Sequence, residues 1–372
     1  MNSGGLSTPS NDPEERLAYI ALALIPGLGA RTLVDLLSAF GSARAVLSAP
    51  PEAVAHAAGL RRGILAGMRN PPIKDAQLLI EYAAKLGQQV LAPSDSEYPS
   101  ALRSIPDPPV TLFAVGRLEA LQRPAVAIVG SRDHTRYGAQ VAHDVARTAA
   151  EAGLLVVSGM ARGLDAVAQT AALDAGGLSV GVLGTGADVT YPAENHELFE
   201  RMRHDGLLLT EHPPGDRSNR WAFPRRNRLI SGLARVLIVV EAAEGSGTLT
   251  TVSSALEQGR EVLVVPGPIN SPTSKGTNRL IRDGATPLLT PDDLLASFGV
   301  ESSAVNPMPV SPRCDLSPNE AQVLSALSAL PRSVDEVALT VGLPIGLVLG
   351  TLLGLELGGL IEQLSDSSYR RR

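Results

Sequence analysis

An α/β fold built on a largely parallel sheet is predicted for the middle of this 372-residue chain, with helices before it and a small winged-helix-like unit after it. Three observations predict it. From Pro108 onward, short β-branched runs alternate with helical stretches. Four of those runs end in glycine-containing turns, and the flanks carry apolar residues at helical spacing.

The first 14 residues, which carry no apolar run, read as a flexible start, and residues 15–90 as a helical module. In "RLAYIALALIPGLGARTLVDLLSAFG" the apolar positions have helical spacing around a break at Pro26–Gly29. The "PGLGARTL" corner has the form of a helix-hairpin-helix turn, which exposes backbone N–H groups near a helix start. A second reading, that it simply joins two helices, stays open. The core is assigned to residues 91–299. Its strands are "VTLFAVG", "AVAIVGS", "LLVVSG", "LSVGVLGTG", "LLLTEH", "RVLIVVEA" and "EVLVVPG", and its intervening helices include "YGAQVAHDVARTAAEAG", "LDAVAQTAALDAG" and "LTTVSSALEQG". Repetition of strand, turn and helix places helices on both faces of the sheet, whereas strand order is not readable.

Residues 300–315, rich in Pro and Ser, read as a linker, and residues 316–372 as three helices and a short extended tail. The two helices separated by "GLP" have a winged-helix layout. In the second of them, "PIGLVLGTLLGLELGG", there is no Arg, Lys, Asn or Gln to address a base or a phosphate, so protein docking is as good a reading as DNA binding.

One cysteine, Cys314, excludes an internal disulfide and is consistent with a reducing cytoplasm. The N-terminus lacks the basic start and apolar run of an export signal, and later apolar stretches are interrupted before membrane length, so no membrane insertion is expected. The net charge of −6 argues against polycation behaviour but averages over the surface. Of 32 basic residues only Lys74, Lys85 and Lys275 are lysine, leaving mostly guanidinium forks suited to phosphate or carboxylate.

The turns "IVGSRDHTRYG", "VSGMARGLD", "LGTGAD" and "EAAEGSGTLTT" all follow strands. In an open parallel sheet the carboxyl ends of the strands share one edge, so these turns point to one crevice. Gly130 permits close approach of a ligand, Ser131 offers a hydroxyl, and Arg132 reaches over as a forked phosphate donor. Gly159, Arg162 and Gly163 form a second turn, and Ser246, Gly247 and Thr248 precede a helix in the manner of a phosphate nest. Neither the dinucleotide fingerprint nor the Gly-Lys-Ser/Thr ending of a P-loop is present. Between Arg201 and Arg235 eight arginines face three acidic residues, Asp205, Glu211 and Asp216. Within that stretch Arg225, Arg226, Asn227 and Arg228 are expected just before a helix, at its N-terminus, an unfavourable place for cations unless an anion lies there. Trp221 and Phe223 beside them either stack on bases or, for Phe223, hold the loop in the core. His196 and His212 join no nucleophile or metal spacing, and no complete catalytic constellation is found.

The ordered set "IVGSR", "SGMARGLDAVAQTAAL", "VGVLGTGADVTYPAENHELF", "FPRRNRLISGLARVLIVVEAAEGSGTLTT", "GREVLVVPG" and "GTNRLIRDGA" resembles the bacterial DNA-processing protein A family, also called Smf. The match runs from Ala125 to about Leu295, and the flanks resemble the accessory domains of many members. The resemblance implies an extended Rossmann-like core that binds single-stranded DNA, forms a homodimer, protects incoming DNA and loads the RecA recombinase during natural transformation. It implies a cytoplasmic mediator, with single-strand-binding protein as a further partner, and neither an enzyme nor a cofactor. Arg132 would hold a DNA phosphate, Ser131 and the Gly159 turn would shape the pocket, and Arg225–Arg228 would form its basic rim. The family pocket commonly uses lysine as well, for which Lys275 is the candidate. The N-terminal helices resemble a sterile-alpha-motif-like domain. The alternative is a Rossmann-like hydrolase that binds a phosphorylated nucleoside, but its "PGGxGTxxE" signature is absent, "EGSGTLTTVSSALE" being the nearest segment.

Overall fold

The computed structural model describes residues 11–59, 62–217, 221–299, 317–328, 331–357, 360–364 and 368–371. The chain divides into two compact units, Met1–Ser302 and Ser303–Arg372. Among the described residues, six helices open the first: α1 (Pro13–Ala23), α2 (Ala30–Phe40), α3 (Ala43–Ser48), α4 (Pro51–Ala58), α5 (Arg62–Arg69) and α6 (Ile73–Lys85). Their core gathers Tyr19, Leu22, Ile25, Leu33, Leu36 and Val46. The break at Pro26–Gly29 is a true corner: Gly27 has a φ of +85°, and Gly29 is the N-cap of α2. These helices are continuous with the central sheet, because Ile20 and Ala21 pack with Val90 and Phe113, and Arg16 Nε donates to the buried Asp95 at 2.9 Å.

Nine strands form that sheet: β1 (Gln89–Leu91), β2 (Leu112–Gly116), β3 (Ala125–Val129), β4 (Leu155–Ser158), β5 (Ser179–Val182), β6 (Leu207–Thr210), β7 (Val236–Val239), β8 (Glu261–Val264) and β9 (Thr286–Pro287). Between them lie α7 (Ser100–Arg103), α8 (Arg136–Glu151), α9 (Leu164–Asp174), α10 (His196–His204), α11 (Ala222–Leu233), α12 (Thr248–Glu257) and α13 (Lys275–Arg282), and α14 (Asp293–Ala296) comes after β9. The strand order is β1-β2-β6-β5-β4-β3-β7-β8-β9. Strands from β6 to β9 run parallel, while β2 pairs antiparallel with both β1 and β6. "VTLFAVG" therefore belongs to an antiparallel edge.

Alternation within the strands explains why they read as unbroken apolar runs. Ala127, Val129, Val157 and Leu237 pack on one face with Leu229, Ile230, Leu233 and Val252. Val126, Ile128, Val156 and Ile238 pack on the other with Val145, Ala149, Ala168 and Ala172. The sheet is covered on both sides.

Strand order also fixes where a ligand can enter. From β3 the chain adds β4, β5 and β6 on one side, then returns to place β7, β8 and β9 on the other. Helices diverge on either side of this switch, leaving a crevice at the carboxyl ends of β3 and β7.

The second unit contains α15 (Pro318–Ser325), β10 (Arg332–Ser333), α16 (Val334–Val341), α17 (Ile345–Leu357), β11 (Ile361–Gln363) and β12 (Ser368–Arg371), with a β10-β12-β11 sheet. Capping boxes Ser317/Glu320 and Ser333/Glu336 start α15 and α16. Val323, Val337, Val348, Leu352 and Tyr369 share its core. Among the described residues no single helix of the chain is long and apolar enough to cross a membrane.

Candidate nucleic-acid interface

The crevice at the switch point has a volume of ≈ 800 Å³ and is lined by Gly130–Asp133 after β3, Ala161 and Asp165 after β4, and Ser246–Thr248 after β7. A contiguous hollow of ≈ 520 Å³ extends over Gly159–Arg162 and Leu183–Thr185. The four glycine-containing turns thus meet along one edge, divided between two adjoining hollows.

Three of the glycines are required by internal contacts. A Cβ on Gly130 would lie 2.4 Å from Leu164 Cδ1, so this residue admits α9 to the end of β3. A Cβ on Gly159 would lie 2.7 Å from Arg226 Nη1. Gly163 has a φ of +87° and passes so near the Ser131–Arg132 backbone that a Cβ would lie 2.6 Å from each carbonyl oxygen. The hydroxyls likewise turn inward. Ser131 Oγ donates to Asp133 O at 2.8 Å, and Thr248 Oγ1 donates to Gly130 O at 3.3 Å. Both hydroxyls are thus engaged by loop carbonyls. Ser246 Oγ, by contrast, is buried with no hydrogen-bond partner among the described residues.

The arginines separate into distinct roles, and their predicted place before a helix is corrected. The helix α11 begins at Ala222, so Arg225, Arg226 and Arg228 lie within it. Pro224 falls in its first turn, where no N–H is needed. Arg226 is 5% exposed and forms the floor of both hollows rather than a rim. Its Nη1 donates to Gly159 O and to Val182 O, tying the ends of β4 and β5 together. Arg228 is bound by both Glu211 oxygens at 2.7 Å and by Asp107 at 3.0 Å, and it too leaves the rim. Asn227 Nδ2 donates to Thr250 Oγ1 at 2.8 Å, locking α11 to α12. Arg225 is exposed but lines a separate cleft. Arg162 is paired with Asp133 at 3.1 Å. Lys275 opens α13, exposed, outside the residues that line the crevice.

Arg132 is exposed, lines both hollows, and has no ion-pair partner among the described residues. Its charge also acts on Arg226. Burial chiefly lowers the Arg226 pKa to about 10; Asp165 opposes this, and nearby Arg132 adds to it. Asp165, buried and accepting from the N–H groups of Gly159 and Ala161, has its pKa raised by burial against the pull of Arg226. Two cations facing one crevice form a repulsive pair that an anion would relieve.

Arg217 and Tyr191 are among the lining residues that the sequence did not single out. Arg217 is exposed in the crevice. It belongs to the arginine-rich stretch, which was the available signal. Tyr191 is 51% exposed, and its ring lies 5.2 Å from that of Phe223 at 35°. Phe223 also packs over Gly184, where a Cβ would lie 3.0 Å from its ring, so it is both partly anchored and turned to the crevice. Trp221, 69% exposed, does not line either hollow.

The chain is similar in sequence and in fold to known proteins. Residues 89–299 match the model of the family DNA recombination-mediator protein A, and residues 306–367 match the DprA winged helix domain. Protein Smf of Synechocystis sp. is 32% identical over 96% of this chain and 99% of its own length. DNA processing protein DprA of Bacillus subtilis is 42% identical over 54% of this chain and 68% of its own. The X-ray structure of DNA processing protein A from Streptococcus pneumoniae superposes with a TM-score of 0.67 at 33% identity, covering 78% of this chain and 98% of that one. DNA processing protein A from Helicobacter pylori, solved for its single-stranded DNA binding mode, gives 0.52 at 30% identity over 57% and 95%. The matched family covers the whole sheet that builds the crevice, and this chain belongs to the DNA recombination-mediator protein A family.

Proposed function

We propose that the crevice binds single-stranded DNA and that the chain acts as a mediator that protects the strand and loads RecA recombinase onto it. The observation that carries the reading is Arg132: an exposed guanidinium without an ion-pair partner among the described residues, beside a second cation and an aromatic pair. Arg132 supplies a forked phosphate donor, and Arg217 and the uncapped N-terminus of α12 supply further positive potential. Tyr191 and Phe223 offer ring faces to bases, which stack on aromatics without regard to sequence. A duplex, whose bases are paired and stacked, has no such face to offer. The Helicobacter pylori relative, described for its single-stranded DNA binding mode, supports the same reading.

Self-association follows as part of the proposal, since two moderate sites on one strand raise the effective concentration of each. A cytoplasmic location fits a mediator whose partners are DNA, RecA and single-strand-binding protein. The test is assembly of RecA filaments on oligonucleotide already coated with single-strand-binding protein. Faster assembly with the protein, lost with Arg132→Ala, is expected. Tight strand binding without any acceleration would reduce the role to that of a passive binder.

A further inference from the structure

Arg225, the exposed member of the "PRRNR" run, does not face the crevice. It lines a cleft of ≈ 220 Å³ between α11 and the N-terminal helices, together with Gly29, Ala30 and Thr111. We propose that this cleft is a second phosphate subsite, which carries the strand from the crevice onto the Pro26–Ala30 corner. The proposal rests on the single-strand reading of the crevice and extends its path.

Three independent features converge there. The helix α2 spans 11 residues from Ala30, its N-cap Gly29 supplies no side-chain cap, and Gly29 and Ala30 line the cleft, so the N–H groups of its first turn are unclaimed by a capping side chain at the cleft wall. Arg225 adds an exposed cation with no ion-pair partner among the described residues. Finally, two lining residues that are buried carry unmatched polar atoms. Thr111, 9% exposed, has an Oγ1 without a hydrogen-bond partner among the described residues, and so does Nε of Arg226, 5% exposed. An orphaned buried hydroxyl costs about 1–3 kcal/mol unless a ligand completes it. The acid of the cleft is already engaged: both Glu211 oxygens are held by Arg228 at 2.7 Å. Arg226 lines the crevice and the cleft alike, which makes the two sites neighbours on one path.

A helix start, a guanidinium and a hydroxyl form a donor set for one phosphodiester. A strand seated by Arg132 that continued past Arg226 would meet this set next. Sequence would not be read there, because none of these donors addresses a base edge.

The experiment is a length series of single-stranded oligonucleotides, from roughly 4 to 16 nucleotides, titrated by fluorescence anisotropy. The key variant is Gly29→Asp. Gly29 has extended φ and ψ of −81° and 163°, and nothing lies within 4 Å of a Cβ there, so Asp fits as an N-cap. Its carboxylate would occupy the α2 N–H groups and repel phosphate while stabilising the helix. We expect unchanged affinity for the shortest strands and a loss of roughly three- to tenfold for the longest. Gly29→Ala, which brings no charge, should behave as wild type. Thr111→Val should weaken only long strands with no loss of thermal stability, a result that a purely structural hydroxyl would not give. Arg225→Ala should lower the salt slope of long strands by about 0.7. Equal losses at every length, or none at any length, would overturn the proposal. Wild-type protein that binds no single strand at all would instead defeat the crevice reading, before any variant is made.

Discussion

Gly159 and Arg226 are in direct contact: Nη1 of the buried guanidinium donates to the Gly159 carbonyl at 2.5 Å, and a Cβ on Gly159 would lie 2.8 Å from the guanidinium carbon. The glycine is there to admit the arginine. Gly159→Ala should therefore displace Arg226 from Gly159 O and Val182 O, two charge-assisted bonds worth about 1.5–3 kcal/mol each. Urea unfolding should show a loss of about 3 kcal/mol, together with weaker DNA binding. A fully stable Gly159→Ala variant would mean that the floor is not held in this way.

The burial of Arg226 has a signature at alkaline pH. Its folded pKa is depressed to about 10, below its unfolded value, so above that pH the unfolded chain binds the proton more tightly than the folded one. Stability then rises with pH through this window, relative to a variant that lacks the group. The difference in unfolding free energy between wild type and Arg226→Gln should be flat from about pH 8 to about pH 9 and shift toward wild type from about pH 10 upward. A flat difference throughout would show that the guanidinium is not desolvated.

Arg228 should behave differently from Arg132 although both are arginines of the same domain. Its side chain is 11% exposed and held between Asp107 and Glu211. Arg228→Ala should cost about 1–3 kcal/mol, chiefly by leaving the part-buried Glu211 carboxylate unmatched while the half-exposed Asp107 turns to water, with the salt slope of DNA binding unaltered in the folded protein. A reduced slope in a stable variant would return Arg228 to the rim.

The aromatic pair predicts a sequence-tolerant term. Tyr191→Ala removes a half-exposed ring and should leave the fold intact. It should weaken binding to mixed-sequence single strands by about 1–3 kcal/mol, the range of one stacked base. Binding to an abasic strand should be the same for variant and wild type. Equal weakening on the abasic strand would assign Tyr191 a structural role.

Much of this organisation was legible in the sequence, for physical reasons that can be named. Buried strands such as "AVAIVGS" and "RVLIVVEA" must be apolar on both faces, and parallel neighbours must be joined by helices, so the α/β core followed from pattern. Strand order did not, because pairing between β3 and β7 joins segments about 110 residues apart, Ala127 opposite Leu237. Without that order the crevice had no address. The arginine cluster was visible, but which member is buried depends on the helical turn that points Arg226 inward and on Gly159 from another strand. Pattern reading placed these arginines at a helix start, since Pro224 looked like the boundary that Ala222 in fact provides. The hydroxyls of Ser131 and Thr248 were legible as donors, while their acceptors, the carbonyls of Asp133 and Gly130, belong to loop geometry. Tyr191 carried no signal of its own until Phe223 was found beside it.

The central claim, that the Arg132 crevice is a single-strand phosphate site, is tested most directly by anisotropy titration of wild type and Arg132→Ala across a salt series. Single- and double-stranded oligonucleotides of the same unrelated sequences serve as ligands. Wild type should prefer the single strand at moderate salt, and the variant should bind every sequence more weakly, with the single-strand salt slope reduced by about 0.7. Unchanged binding by a folded Arg132→Ala variant, or equal affinity of wild type for both strand forms, would contradict the account.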